Sequence, residues 1–69
     1  MENRIEEIRR KAGIRQEELA KLLGVSRQTI SSLERGRYNP SIFLAHKIAR
    51  HFGMQIEDVF IFDDNSEGD

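Results

Sequence analysis

Apolar residues recur at helical spacing from the start of the chain. Ile5, Ile8 and Ala12 stand three and four positions apart, and most of the residues between them are charged. This spacing predicts an amphipathic first helix whose apolar stripe faces a core. Arg9 is one of the charged residues that we expect on the other faces. Gly13 follows the last apolar position and suits a left-handed helix end.

Two more helices are predicted on either side of a short turn at residues 24–26. The second helix, over 16–23, has an apolar side formed by Leu19, Ala20, Leu22 and Leu23. The third runs over 27–35, and its main apolar positions are Ile30 and Leu33. The turn begins with a glycine and ends with a serine, which is a favoured N-cap residue.

The second half of the chain holds the most apolar helix and then a change of pattern. Ser41 is expected to cap a fourth helix, whose stripe comprises Ile42, Leu44, Ala45, Ile48, Ala49 and Phe52. A short fifth helix, about 56–60, runs into the β-prone stretch 59–62. Residues 63–69 are polar, and we expect them to be disordered. The whole pattern predicts an all-α fold of five short helices, with a short C-terminal β-strand as an optional addition.

Length and composition narrow the classes of protein. A chain of 69 residues forms one domain, and a domain of this size hides only about 60% of the surface that its unfolded chain exposes. Self-association is therefore an expected source of stability. The sequence has no cysteine, no apolar run of about 18 residues and no secretory signal pattern. We expect a soluble, cytoplasmic protein without a disulfide, a thiolate metal site or a membrane span.

The distribution of charge is more informative than the net charge of −1. Residues 1–51 hold all 11 lysines and arginines and six acidic residues, which gives this part a charge of +5. Residues 52–69 hold six acidic residues and no lysine or arginine, so they carry −6. A basic body followed by an acidic end is compatible with a nucleic-acid partner, although runs of charge are more often only solvated surface.

Residues 16–35 combine features that bring two helices close together. Ala20 is small enough for the third helix to approach, and Gly24, four positions later, adopts a positive φ without strain. Ile30 and Leu33 are then placed to bury the inner side of the pair. Two short helices joined by such a turn form a helix-turn-helix, whose second helix enters the major groove of DNA.

The same residues resemble a known family. The runs QEELA at 16–20, GVSRQTIS at 24–31 and LERG at 33–36 are similar to the phage-repressor and Cro-like helix-turn-helix family, also called XRE-type. The continuation YNPS at 38–41, with a Leu-Ala pair and an Ile-Ala pair further on, matches as well.

The resemblance covers about residues 3–60 and implies both a domain and a function. The domain is a five-helix, lambda-repressor-like DNA-binding unit over residues 1–62 that includes a C-terminal dimerisation element, and the acidic tail, 63–69, follows it. The function is sequence-specific binding of double-stranded DNA as a transcriptional regulator, with repression by blocking promoter access as the simplest outcome. Because the DNA-binding domain uses nearly every residue, we expect no small-molecule effector domain and no cofactor.

The resemblance places base contacts on the first residues of the third helix. Arg27 and Gln28 occupy these positions, and their side chains bond bidentately to guanine and adenine, each pair discriminating by roughly 1–3 kcal/mol. Ser31 shares the outer face with Arg27, and Ser32 is a further base-contacting candidate. Thr29 is better suited to reach a phosphate.

Phosphate contacts position a protein on the duplex without reading its sequence. The candidates that the resemblance implies lie at the start of the second helix and after the third: Gln16, Arg37, Tyr38 and Ser41. Arg15 stands where many relatives have a serine or threonine cap. Either Glu17 and Glu18 offset its charge at the helix start, or Arg15 itself contacts a phosphate, which we favour. Lys47 and Arg50 are either further phosphate contacts or ordinary solvent-facing charges.

Dimerisation would place two recognition helices on half-sites roughly 34–36 Å apart, and the family usually dimerises. The candidates for the interface are apolar residues beyond the needs of the core: Phe43, Met54, Ile56, Ile61 and Phe62. The stretch 59–62 has the composition of a strand that pairs. For Phe60 and Phe62 the alternative is that they close the core of the monomer.

Other classes of function find less support. His46 and His51 are five positions apart on one helix, so they do not share a face as a metal-binding pair does. No acid–base pair indicates catalysis, and we expect neither catalytic residues nor a metal site. The serious alternative is an antitoxin or adaptor protein whose main partner is another protein, with Phe43 and the 61–62 end as its binding surface.

Overall fold

The computed structural model describes residues 1–37 and 39–62, and this part of the chain holds five helices. Their bounds are α1 Ile5–Lys11, α2 Gln16–Leu23, α3 Arg27–Glu34, α4 Ile42–His51 and α5 Ile56–Val59. The predicted all-α fold and the order of its helices are confirmed. Tyr38 and the acidic tail, 63–69, lie outside the described residues, so the disorder expected of the tail stays a prediction.

A single apolar core draws on every helix. Its buried members are Ile5, Leu19, Ala20, Leu23, Ile30, Leu33, Ala45, Ile48, Ala49, Val59 and Phe60. Partly buried side chains close its edge, among them Ile8, Val25 and Leu44. The longest helix has 10 residues and the shortest has 4. Helices this short are marginal in water on their own, so the shared core supplies the stabilisation that each one lacks.

In α1, α2 and α4 the buried stripe is narrower than the apolar pattern predicts, whereas both predicted apolar positions of α3 are buried. Ala12 is exposed, and Leu22 and Ile42 are 57% and 68% exposed. The expectation that these three residues face the core is therefore wrong. A helix of two or three turns buries only the side that its neighbours reach, and these residues lie at the edges of that side or beyond them.

Arg9 departs furthest from the pattern of α1. It lies one turn after Ile5 on the same face and is only 8% exposed, whereas the sequence indicated a solvent-facing charge. A buried charge requires a partner. The guanidinium forms an ion pair with Glu34 of α3, in which Nε lies 2.7 Å from Oε2. Arg9 stands four positions after the buried Ile5, and this helical spacing indicates burial. The charge of the residue nevertheless led us to expect it on the solvent side.

The strand considered for residues 59–62 does not form within the described part of the chain. Asn3 and Phe60 make one isolated antiparallel bridge, and backbone hydrogen bonds on either side tie residues 2–4 to residues 59–61. The N-terminal segment thus occupies one edge of residues 59–61.

The two C-terminal phenylalanines take different places. Phe60 is 1% exposed and closes the core of the monomer, which was one of the two alternatives for this residue. Its backbone is extended, with φ of −107° and ψ of 138°, so α5 ends at Val59 rather than at residue 60. Phe62 is 51% exposed and is therefore not part of that core.

Candidate nucleic-acid interface

The turn between α2 and α3 has the geometry that its sequence predicts. Gly24 ends α2 in the left-handed conformation with φ of 74°, and the Val25 N–H donates to the Ala20 carbonyl oxygen at 3.0 Å. Ser26 is the N-cap of α3, and its Oγ accepts from the Thr29 N–H at 3.1 Å. These bonds satisfy backbone groups that helix ends leave without partners, so the two helices meet at a defined angle.

The inner side of α3 is fully buried, and this determines which residues face outward. Ile30 and Leu33 are 0% exposed, and Ala20 of the adjoining α2 is 3% exposed. Arg27 and Gln28 are exposed on the opposite side. Turning α3 about its axis to hide them would bring both core residues into water.

Ser31 and Ser32 lie one turn further along α3 and are half-buried. A polar groove runs beside this part of the helix, and its lining residues are Glu6, Gln16, Arg27, Ser31, Glu34 and Arg35. The structure thus brings two predicted base-contacting residues, Arg27 and Ser31, next to the predicted phosphate contact Gln16. Arg35, at the end of α3, was not among the predicted site residues.

A second groove adjoins the first and shares Glu6, Gln16 and Arg27 with it. Its lining residues are Glu6, Arg9, Arg10, Arg15, Gln16, Glu17 and Arg27. This lining holds four arginines and two glutamates, but Arg9 pairs with Glu34 and Arg10 pairs with Glu6 at 2.8 Å, so its attraction for a polyanion depends on Arg15 and Arg27. It places the predicted phosphate contact Arg15 near Arg27. Arg10, which was not among the predicted site residues, lines the same groove.

Glu34 joins three helices behind these grooves. Its carboxylate accepts two hydrogen bonds from Arg9, at 2.7 and 3.2 Å, and one from Gln16 Nε2 at 2.9 Å. The Arg9 guanidinium also donates to the Ile14 carbonyl oxygen at 2.9 Å. The hydrogen bonds to Glu34 raise the pKa of Arg9 above its usual value, so the guanidinium stays charged. This network links α1, the start of α2 and the end of α3, and it sets where α3 lies against the other two.

Gln16 and Thr29, two predicted phosphate contacts, already form hydrogen bonds within the protein. An amide nitrogen carries two hydrogens, so the bond from Gln16 to Glu34 orients the side chain and leaves one hydrogen for a phosphate. Thr29 Oγ1 lies 3.0 Å from Ser26 Oγ, within the cap of α3. Both roles at these residues stay predictions.

Glu18, rather than residue 15, caps the start of α2. Its Oε1 accepts from the Arg15 N–H at 2.8 Å. The reciprocal bond of a capping box is absent here because a guanidinium has no acceptor atom. The backbone hydrogen bond from Arg15 lowers the pKa of Glu18 below its ordinary value of 4.5. Glu18 therefore offsets the charge of Arg15, whose Nε lies 3.7 Å from Glu18 Oε1. The Arg15 side chain is 79% exposed, and its contact with a phosphate stays a prediction.

The predicted contacts after α3 are only partly described. Arg37 is exposed just beyond the end of this helix. Ser41 is exposed too, and its Oγ caps α4 by accepting from the Leu44 N–H at 3.1 Å. Tyr38, which lies between them in the chain, is outside the described residues.

The two basic residues of α4 differ in their surroundings. Lys47 Nζ donates to the Leu23 carbonyl oxygen at 2.9 Å, so this side chain ties α4 to the end of α2. A cation there also stabilises the negative end of the α2 dipole. Arg50 is exposed. Neither sequence-based alternative for Lys47 had included a structural role.

The predicted dimer-interface residues do not lie in one place. Phe43, Met54, Ile61 and Phe62 are exposed, whereas Ile56 is half-buried and packs against the core. An apolar groove is lined by Met1, Pro40, Ile42, Ala45, Ile56, Phe60 and Phe62. Met54 lines a different groove, among the charged residues Arg4, Glu7, Lys11 and Asp58.

Residues 1–37 and 39–62, which the structure describes, hold neither a metal-binding cluster nor a membrane-spanning helix. Within this part of the chain, no cluster of three or more histidine, cysteine, aspartate or glutamate side chains could hold a metal ion. None of its helices is long and apolar enough to cross a membrane.

Comparisons with known proteins agree with this geometry. A family model described as helix-turn-helix matches residues 5–59, from the first residue of α1 to the last of α5. An HTH-type transcriptional regulator of Archaeoglobus fulgidus is 62% identical over 64 residues, which cover 93% of this chain and 91% of that protein. A similar regulator of Methanocaldococcus jannaschii is 52% identical over 65 residues, which cover 94% and 98% of the two chains.

A solved structure with a similar fold is that of the clp gene regulator ClgR from Corynebacterium glutamicum. The TM-score is 0.71 and the sequence identity is 31%. The match covers 78% of this chain and 57% of ClgR, so the chain spans little more than half of that longer protein.

Proposed function

The chain belongs to the XRE-type helix-turn-helix family of DNA-binding transcriptional regulators, and from this premise we propose that it binds a specific, pseudo-palindromic operator as a homodimer and represses transcription. The family is one of DNA-binding regulators and not of enzymes, as the sequence indicated. The proposed place of action is the cytoplasm. The proposed mechanism of repression is steric, because a dimer on the operator blocks access to the promoter.

One observation carries the proposal: the outer side of α3 is polar and exposed while its inner side is fully buried. Arg27 and Gln28 project from the first turn of α3, and Ile30 and Leu33 hold that helix in place from beneath. The major groove of B-DNA is about 12 Å wide and admits an α-helix whose first residues reach the base edges. We therefore assign base contacts to Arg27 and Gln28, with Ser31 and Ser32 beside them.

Phosphate contacts are proposed on both sides of α3. Two of them, Arg15 and Gln16, lie at the start of α2. A third, Thr29, lies in the first turn of α3. Those after it comprise Arg37, Tyr38 and Ser41, of which Tyr38 rests on the sequence alone. Contacts on both strands of one groove would fix the register of α3 on the duplex.

The second copy is proposed to dock on the apolar groove that Ile42, Ile56 and Phe62 line. Ile42 and Phe62 are 68% and 51% exposed, and their burial against a partner would remove apolar surface from water. Phe43 and Ile61 are the chain neighbours of Ile42 and Phe62 but do not line this groove, so they are candidates for the interface outside it. Met54 remains a separate candidate because it lies in the charged groove beside α1.

Selection of bound duplexes from a random DNA pool tests the operator and the dimer together. The expected product is a pseudo-palindrome with half-site centres about 10 base pairs, or roughly 34–36 Å, apart. A pool that stays random after several rounds would contradict sequence-specific binding. An enriched motif without twofold symmetry would contradict the homodimer but would still support sequence-specific DNA binding.

The salt dependence of binding tests the contact with DNA itself. With roughly eight phosphate contacts per dimer, the slope of log K against log salt concentration is expected to be near −7. The alternative, an antitoxin or adaptor whose main partner is a protein, is favoured by the exposure of Phe43, which reaches 80%. That alternative predicts weak DNA binding that no substitution in α3 changes.

A further inference from the structure

The N-terminal segment, residues 1–4, lies against the end of the recognition helix α3. The side chain of Asn3 makes the central contact, because its Nδ2 donates to the Leu33 carbonyl oxygen at 2.7 Å. The same nitrogen donates to the Met1 carbonyl oxygen at 3.0 Å, and Oδ1 accepts from the Ile5 N–H at 3.1 Å. Asn3 is half-buried, and its amide uses both its donor and its acceptor within the protein.

The contact with Leu33 falls where the chain leaves α3. The Leu33 carbonyl oxygen also accepts from the Gly36 N–H at 2.9 Å, and the Arg37 N–H donates to the Ser32 carbonyl oxygen at 3.0 Å. This pair of bonds, with Gly36 at φ of 71°, is a Schellman helix end. Arg37 follows Gly36 and is the last residue of this helix end, because its N–H makes one of the two bonds.

The backbone of the N-terminal segment also packs closely on this helix end. A Cβ atom added to Gly36 would lie 3.2 Å from the Met1 carbonyl oxygen, which is closer than an ordinary contact. The turn that leads to Arg37 is therefore confined on the side of residues 1–3 as well as by its own hydrogen bonds.

The other edge of the segment is tied to the end of α5. The Arg4 N–H donates to the Val59 carbonyl oxygen at 2.7 Å, and the Ile61 N–H donates to that of Glu2 at 2.9 Å. Asn3 lies between these two bonds. Its side chain is thus held at a fixed position relative to the core, and it does not simply follow the movements of α3.

We propose that Asn3 is a positioning residue for DNA binding, whose amide sets the direction in which the chain leaves α3 and so places the Arg37 guanidinium against a backbone phosphate. This inference rests on the proposed function, since it assigns Arg37 to a phosphate. Asn3 itself does not touch DNA and acts only through the helix end. It therefore affects the strength and salt dependence of binding, and not the choice of bases.

Two substitutions separate this role from the capping of α1. Asn3→Asp keeps an oxygen that accepts from the Ile5 N–H but cannot donate to Leu33 or Met1, whereas Asn3→Ala removes all three bonds. Both variants lose the bonds from the amide nitrogen to Leu33 and to Met1, which hold the N-terminal segment on the end of α3, but only Asn3→Asp adds a negative charge. Agreement between the two variants would therefore exclude both the cap and the charge as causes.

The test measures operator affinity against salt concentration for the wild type, both Asn3 variants, Arg37→Ala and the double variant Asn3→Asp/Arg37→Ala. The binding temperature is one at which circular dichroism shows every variant folded. Each single variant is expected to flatten the slope of log K against log salt by about one unit per subunit. The double variant is expected to match Arg37→Ala, because residues that act through one contact are not additive. The operator preference selected from a random pool should stay unchanged.

Two outcomes are distinguishable failures. If the wild type shows no salt-dependent binding of DNA, the proposed function fails, and this inference fails with it. If the wild type binds but the folded Asn3 variants keep its slope, or if their effects add to that of Arg37→Ala, Asn3 contributes to stability alone and the positioning role is overturned.

Discussion

At the scale of single residues, the proposed interface divides into side chains that contact bases and side chains that contact phosphates. Arg27 opens α3 on its exposed side, whereas Arg37 stands beyond the end of that helix. A bidentate bond from arginine to guanine depends on the base, but an ion pair with a phosphate does not. We therefore expect replacement of each arginine by alanine to change DNA binding differently. At Arg27 the substitution should affect base preference, and at Arg37 it should affect affinity for all sequences.

Arg27→Ala is expected to weaken binding of the selected operator by roughly 1–3 kcal/mol and to relax the base preference at one position of each half-site. Arg37→Ala should weaken operator and random duplex alike. Competition binding against single-base variants of the operator measures both effects. Lys11→Ala is the matched control, since it removes one positive charge from the groove beside α1, away from α3. A loss of base preference in the control equal to that of Arg27→Ala would contradict the assignment.

Glu18 predicts a pH dependence of stability. Its pKa in the folded protein is lowered from 4.5, chiefly by the hydrogen bond from the Arg15 N–H. A lowered folded-state pKa means that the stabilising effect is fully present above pH 4.5 and is lost as the pH falls through the folded value. Glu18→Gln keeps an acceptor but no charge. Its melting temperature should therefore lie below that of the wild type at pH 7, and the two should converge as the pH falls below the folded-state pKa of Glu18. A constant difference across this range would contradict the role of the charge.

At the scale of helices, the Arg9–Glu34 pair decides how α3 is held. The two side chains are only 10% and 4% exposed, so each charge depends on the other and on the added bonds to Ile14 and Gln16. Such a pair adds little to the free energy of unfolding compared with apolar residues of the same shape. Removal of one partner lowers this free energy strongly, because the other charge is left buried and unpaired. The network is therefore better understood as fixing the arrangement of three helices than as a source of net stability.

Glu34→Ala is expected to destabilise the protein by about 3–5 kcal/mol, because it leaves the Arg9 guanidinium buried without a counter-charge. The double substitution Arg9→Met/Glu34→Leu should be much milder. Urea unfolding of the wild type and these two variants measures the difference. The exposed pair of Lys11 and Glu7, with atoms 3.5 Å apart, supplies the control, and Glu7→Ala should cost about 0.5 kcal/mol or less. A double variant as unstable as Glu34→Ala would show that apolar packing does not replace the pair.

At the scale of the whole molecule, the small core leaves apolar surface outside it. Phe43, Ile42 and Phe62 are 80%, 68% and 51% exposed, and the last two line one groove. The antiparallel bridge to Asn3 already pairs the backbone of Phe60, so side chains, rather than a shared strand, are the expected means of association.

Phe62→Asp is expected to shift sedimentation equilibrium towards the monomer by at least tenfold in the dissociation constant, which corresponds to about 1.4 kcal/mol. Affinity for a full operator should fall, while affinity for a single half-site stays the same. Met54→Asp, in the charged groove, tests the other candidate site and should leave association unchanged. The opposite ranking of the two variants would move the interface to the groove beside α1.

The agreement between sequence and structure is closest where the signal is local. Ser26 and Ser41 cap α3 and α4 as predicted, and Gly24 takes the positive φ that the turn requires. Arg27 and Gln28 lie on the exposed side of α3 as predicted, because Ile30 and Leu33 form the buried stripe of this helix. The width of the apolar stripe was less well predicted, as Leu22 and Ile42 demonstrate, since periodicity identifies a face but not how much of it a neighbour covers.

By itself, the amino-acid sequence determined the helices, the turn at residues 24–26 and the family to which the chain belongs. These depend on caps, on glycine conformation and on spacings of three and four residues, which act within one or two turns of the chain. Only the tertiary structure decided that Arg9 is buried on Glu34, 25 positions away, and that Asn3 meets Leu33, 30 positions away. A polar side chain carries no local mark of a partner so distant, because the packing of the helices, rather than the neighbouring residues, brings the two together.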